Sequence, residues 1–151
     1  LNCLICMWYG TPFISTDNTM VLTVNSVGAA FQFVYIILFI SFADKASKVR
    51  MAGFLLAVIV FFTAVVIGSL QIVDHCLRRI IVGLISSASL ISMFASPLFI
   101  INLVIQTKSV EYMPFYLSLS TFLMSSSFFL YGVFNSDLFI YIPNGMGTVL
   151  G

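Results

Sequence analysis

Apolar residues do not alternate along this chain; they run on. Uncharged stretches cover 18–43, 51–73, 80–107 and 112–136. Each exceeds the roughly 20 residues that a helix needs to cross a bilayer. A transmembrane barrel shows alternating segments of about 10 residues, and these runs are apolar on every face, so helices are the only choice. Two shorter apolar runs flank them. Leu1 to Tyr9 precedes Gly10 and Pro12, and 138–151 closes the chain. The pattern predicts four whole transmembrane helices between two partial ones. The connections are short, so neighbouring helices run antiparallel.

Composition sharpens this picture. The chain is 61% hydrophobic and only 7% charged, where a soluble domain carries about 25% charged residues. A soluble enzyme, a nucleic-acid binder and a disordered tail are excluded on that ground. A formal net charge of +1 leaves no basic patch for phosphates. The charges fall in five islands: Asp17; Asp44, Lys45, Lys48 and Arg50; Asp74, Arg78 and Arg79; Lys108 and Glu111; and Asp137. Basic residues favour the cytoplasmic side. Lys45, Lys48, Arg50 and Lys108 outnumber Arg78 and Arg79, which places 44–50 and 108–111 in the cytoplasm. Cys3, Cys6 and Cys76 are too few and too scattered for a disulfide framework. The first residues have neither a Met nor a charged leader region, and read as the continuation of something longer.

An internal repeat is legible. Trp8-Tyr9-Gly10 precedes Asn25-Ser26-Val27-Gly28, and Leu130-Tyr131-Gly132 precedes Asn144-Gly145-Met146-Gly147. In both copies Tyr-Gly ends one helix and Asn-x-x-Gly lies within the next. This pairs 1–10 with 112–132 and 18–43 with 138–151. The helix at 80–107 then has no counterpart, so an upstream helix is expected. The helix at 51–73 is an unpaired linker. A three-helix unit crosses the membrane an odd number of times, so one extra crossing makes two copies parallel. The expected fold is an all-α membrane protein, a 3+1+3 seven-helix bundle of two parallel three-helix repeats joined by a linker helix, with the N-terminal helix missing. The expected segments are 1–43 for the rest of the first repeat, 44–79 for the linker helix and its flanking loops, and 80–151 for the second repeat.

Polar side chains at membrane depth usually face a bundle interior or a cavity. Asn25 and Asn144 occupy equivalent places in the two copies. A carboxamide can both donate and accept. Pro143 beside Asn144 removes a backbone donor and predicts a helix break there, and such breaks are tolerated where they line a cavity. The pair is therefore expected to bind a neutral ligand rich in hydroxyls. The competing reading is that each Asn is interhelical glue; two at equivalent places favour the pocket.

None of the long runs holds Asp, Glu, Lys, Arg or His. A proton- or sodium-coupled pump usually keeps such a group within the membrane, so uncoupled, bidirectional movement down a gradient is expected. An ion channel is disfavoured, because no acidic ring or filter sequence occurs. Serines cluster at Ser86, Ser87, Ser89, Ser92 and Ser96 and at Ser118, Ser120, Ser125, Ser126 and Ser127, where close helix packing is the favoured role. Pro97 should kink the helix at 80–107. Pro114 falls in the first turn of the next helix, where proline is tolerated; both remain candidate hinges. Asp74-His75-Cys76 has metal-ligand types at the wrong spacing for zinc. No enzyme signature is present, and neither a metal nor a cofactor is expected.

Several strings carry a family resemblance. They are Tyr9-Gly10-x-Pro12, Thr23-Val24-Asn25-x-x-Gly28, Ala95-Ser96-Pro97-Leu98, Thr107-Lys108-Ser109-Val110-Glu111-Tyr112-Met113-Pro114-Phe115 and Ile142-Pro143-Asn144-Gly145-x-Gly147. Together they resemble the plant SWEET sugar transporters, built from MtN3/saliva repeats, over nearly the whole chain. The resemblance implies a seven-helix facilitative carrier of mono- or disaccharides. It matches the family's two pocket asparagines to Asn25 and Asn144. It puts Cys6 where the family has a pocket serine, and Phe128 where it has a tryptophan that stacks on the sugar. It implies an extracellular gate of Tyr9 and Asp137 with Tyr131 nearby, and an intracellular gate or hinge that includes Pro97 and Pro114. The resemblance also implies a homo-oligomer, with a trimer as the candidate state.

The resulting expectation is a hexose uniporter, with glucose the first candidate, working by alternating access. It is a multi-pass protein of the plasma or vacuolar membrane whose partners are the sugar and the lipid bilayer, with no nucleic acid. Two other readings are a membrane scaffold that moves no solute, and an amino-acid exporter of the PQ-loop type. The Pro-Gln dipeptide naming the latter group is absent.

Overall fold

Among the described residues six helices follow one another: α1 (Asn2–Tyr9), α2 (Thr19–Phe42), α3 (Lys45–Gln71), α4 (His75–Thr107), α5 (Phe115–Phe134) and α6 (Leu138–Leu150). They are seen in a computed structural model. It describes residues 1–107 and 115–150, with no account of the side chains at 95–107, 115 and 117. Among the described residues there is no strand. Pro114 lies outside them. α4 runs on through position 97, where only the backbone is described.

The charged islands at 44–50 and 74–79 turn out to start helices rather than separate them. α3 begins at Lys45 and α4 at His75, ahead of the uncharged runs. The reason is capping: a carboxylate just before a helix satisfies first-turn N–H groups that have no partner within the helix. Asp44 Oδ2 accepts from the Ser47 N–H at 3.2 Å, and Asp74 Oδ1 accepts from the Cys76 N–H at 2.9 Å.

Among the described residues three helical segments are long and apolar enough to cross a membrane: Thr19–Phe42, Lys45–Gln71 and His75–Phe94. Ser118–Phe134 and Leu138–Leu150 are shorter apolar helices, and the fourth full span expected at 112–136 begins among residues outside the described set. In α2 and α3 the burial is one residue deep, with Val21 and Ser69 the buried positions. Phe31, Phe33, Tyr35, Phe54 and Leu56 stand more than half exposed. Such a surface is stable in hydrocarbon and costly in water.

Leu1–Gly83 and Leu84–Gly151 form two compact units, with the boundary inside α4. In the first unit α1 packs along α2 and touches α3. The indole N–H of Trp8 donates to Ser69 Oγ at 3.0 Å, and that hydroxyl donates to the Val66 carbonyl at 2.8 Å. The Trp8 ring stacks on Phe13 at 6.4 Å. Arg78 closes the same end. It donates from Nε and Nη2 to the Ile72 carbonyl at 3.1 and 2.7 Å, and from Nη1 to the Phe13 carbonyl at 3.3 Å. In the second unit α5 packs along α6.

The break expected at Pro143 does not occur. Pro143 lies inside α6, which continues to Leu150. A proline in a helix leaves the carbonyl four residues earlier without that backbone donor. Here Ser87 Oγ of α4 donates to the Phe139 carbonyl at 3.1 Å, so the helix passes the proline with a donor supplied from a neighbour.

Candidate functional site

The two hairpins, α1–α2 and α5–α6, are built alike. Gly10 ends α1 and Gly132 lies near the end of α5. A Cβ on Gly10 would meet Leu22 N at 2.6 Å, and one on Gly132 would meet Tyr141 N at 2.6 Å. Only glycine lets the helices approach this closely. Three residues beyond those contacts stand the two asparagines. Asn25 Nδ2 donates to the Val21 carbonyl at 2.9 Å, and Asn144 Nδ2 donates to the Ile140 carbonyl at 2.7 Å. Val21 and Ile140 are both buried. Asn144 is buried and Asn25 half-buried.

This common geometry fixes what each amide offers. Its nitrogen is tied back one turn along its own helix. Its oxygen, Oδ1, is then the acceptor it presents, held in one rotamer. An acceptor so fixed suits a hydroxyl-bearing ligand and gives a cation no charge to bind.

The same register aligns the helix starts. Asn18 precedes α2 and Asp137 precedes α6, and each is 1% exposed. Asn18 Nδ2 donates to Ser15 Oγ at 2.6 Å, while Asp137 Oδ1 accepts from the Phe139 N–H at 3.0 Å, capping α6. One hairpin therefore carries an amide where the other carries a carboxylate. Sequence reasoning named Asp137 and missed Asn18; the repeat register was the signal that could have found it.

The remaining expected residues divide between the units. In the first, Tyr9 is 1% exposed and Cys6 is buried, its thiol donating to Asn2 Oδ1 at 3.5 Å. In the second, Phe128 and Tyr131 meet edge to face at 6.4 Å. Phe94 and Ser125 crowd Gly147, where a Cβ would lie 2.5 Å from the Phe94 ring and 2.7 Å from Ser125 Oγ. Ser125 Oγ and Ser126 Oγ are buried and make no hydrogen bond. Sequence reasoning treated these serines as packing residues and gave Phe94 no role. No group of metal-ligating side chains occurs among the described residues.

Helices of this length and surface, in hairpins closed by glycine and each carrying an amide tied to its preceding turn, define a multi-pass all-α membrane protein of duplicated build. Residues 80–151 match the family model described as "Sugar efflux transporter for intercellular exchange". The whole chain is 66% identical to Bidirectional sugar transporter SWEET2 of Arabidopsis thaliana, covering 64% of it, and 62% identical to Bidirectional sugar transporter SWEET2a of Sorghum bicolor, covering 62%. A solved structure of a eukaryotic SWEET transporter superposes with a TM-score of 0.93 at 53% identity, over 99% of this chain and 70% of that one. The chain belongs to the SWEET family. It spans a little under two thirds of the first two relatives. Its helix order is consistent with the three-one-three plan.

Proposed function

We propose that the protein is a facilitative, bidirectional sugar carrier working by alternating access without a coupled ion, and that its substrate is a hexose such as glucose. The relatives named above are bidirectional sugar transporters. The observation that carries the reading is the matched pair of amides. Asn25 and Asn144 have the same bond to the preceding turn, at equivalent places in two like hairpins. One Oδ1 from each repeat accepts from sugar hydroxyls and replaces their water. Phe128 offers a ring face to the sugar's C–H surface, and Cys6 lines the first-repeat side. Tyr9, Tyr131 and Asp137 form the outer gate, and Pro97 and Pro114 belong to the inner one. The carrier assembles as a homo-oligomer, and its repeats divide as 1–43 and 80–151 around a linker at 44–79.

Uptake of labelled glucose by the full-length protein in liposomes tests this. Asn25→Ala or Asn144→Ala, each expressed at the normal level, should reduce uptake at least tenfold, the loss expected for two or more hydrogen bonds at about 1 kcal/mol each. A proton gradient should leave the rate unchanged. Undiminished uptake by both variants would contradict the pocket. Sugar binding without uptake would favour the scaffold reading.

A further inference from the structure

We propose that Ser87 of α4 is a positioning residue for Asn144, and that it acts through the proline of α6. This inference rests on the reading of Asn144 as a sugar ligand. Pro143 has no N–H, so the turn that begins at Phe139 lacks one of the backbone bonds holding a helix straight. Asn144 follows immediately, and its Nδ2 is anchored to Ile140, the residue after Phe139. The orientation of its Oδ1 therefore depends on the shape of the turn from Phe139 to Asn144. Ser87 Oγ donates to the Phe139 carbonyl at 3.1 Å from a separate helix. The serine supplies a donor where the proline cannot, and ties that turn of α6 to α4.

Other serines in these helices behave differently. Ser92, Ser120 and Ser127 donate to carbonyls four residues earlier in their own helices, at 2.7–2.8 Å. That is the usual local bond of a helical serine. Ser87 reaches across to α6 instead. The first repeat offers a contrast, since α2 carries Val24 before Asn25 and has no proline to compensate. The serine–proline pairing therefore belongs to the second amide alone.

A double-mutant cycle in the full-length protein in liposomes tests the assignment. Ser87→Ala should raise the apparent KM for glucose about fivefold, the effect of losing this one part-buried hydrogen bond. Ser87→Thr, which keeps the hydroxyl, should restore the normal KM. Pro143→Ala returns an N–H to the turn, so in that background Ser87→Ala should change KM less than twofold. Hydrogen exchange of the α6 amides 140–142 and 144–147 should follow the same order, faster in Ser87→Ala and normal in Ser87→Thr. Should Ser87→Ala fail to fold, Ser87→Cys, a weak donor of similar size, should fall between serine and alanine in both readouts. An unchanged KM and exchange rate in Ser87→Ala, or an equal penalty in both proline backgrounds, would overturn the proposal. Normal protein that moves no sugar would instead contradict the transport reading, and the exchange measurement would still decide the role of Ser87.

Discussion

A single hydrogen in place of a methyl group decides whether each hairpin can close. At Gly10 and Gly132 the nearest atoms in the way are backbone atoms of Leu22 and Tyr141 in the next helix, which cannot swing aside as a side-chain tip can. Gly10→Ala and Gly132→Ala should each destabilise the protein by about 1–3 kcal/mol, the usual cost of overpacking. Gly28 faces only the Cys3 thiol at 3.3 Å, and Gly53 faces open space, so Gly28→Ala should cost little and Gly53→Ala nothing. Melting temperatures of the four variants in detergent give the comparison, and equal losses at all four positions would contradict it. The glycines at 10 and 132 were legible in the sequence because each follows a tyrosine in a repeated string. The contacts that make them necessary were not, because they join Gly10 to Leu22 and Gly132 to Tyr141 across turns whose lengths differ between the copies.

Helix boundaries show where reading the sequence runs short. The uncharged runs located the interior of each helix, since a bilayer admits little else. They misjudged the starts of α3 and α4, because a charge was taken as the end of a span when it was a cap. Asp44 carries a consequence of its own. Hydrogen bonds from the Ser47 side chain and then its backbone N–H hold the Asp44 carboxyl below its ordinary value of 3.8. A carboxyl whose pKa is lowered on folding stabilises the folded state above its unfolded pKa, and that support is lost as pH falls through the lower, folded value. The cap should thus hold at neutral pH and fail only below 3.8. Protection of the Ser47 amide, its exchange measured against the intrinsic rate at the same pH, should fall in Asp44→Ala at neutral pH and in the unaltered protein only under such acid. Pro143 is the opposite case. The sequence announced a missing donor correctly, but the conclusion that α6 breaks was wrong because Ser87, far away in sequence, donates there.

Across the whole molecule, orientation rests on basic residues, and Arg78 argued against the orientation chosen. Its guanidinium is engaged with the Ile72 and Phe13 carbonyls, so this charge serves to hold two turns together and need not report which side they face. With Arg78 set aside, Lys45, Lys48, Arg50 and Lys108 stand against Arg79, and the α3–α4 turn is expected outside the cytoplasm. Cys76 sits exposed in the first turn of α4, beside that connection, while Cys6 is buried. A membrane-impermeant maleimide applied to intact cells or sealed outside-out vesicles should label Cys76 and spare Cys6; protection of Cys76 until the membrane is opened would reverse the topology.

The chain's order along its length fixed a good deal unaided: that it is helical, that it lives in lipid, that it is duplicated, and which two amides correspond. These follow from the length of apolar runs and the recurrence of short strings, both properties of neighbours in sequence. Which atoms each polar group meets was decided only on folding. The tie of each amide to its preceding turn, the serine that serves the proline, and the arginine that joins two loops all depend on rotamers and on contacts between separate helices. In an interior with no water to accept a stray hydrogen bond, those partners must come from the protein itself, and nothing short of the folded chain says from where.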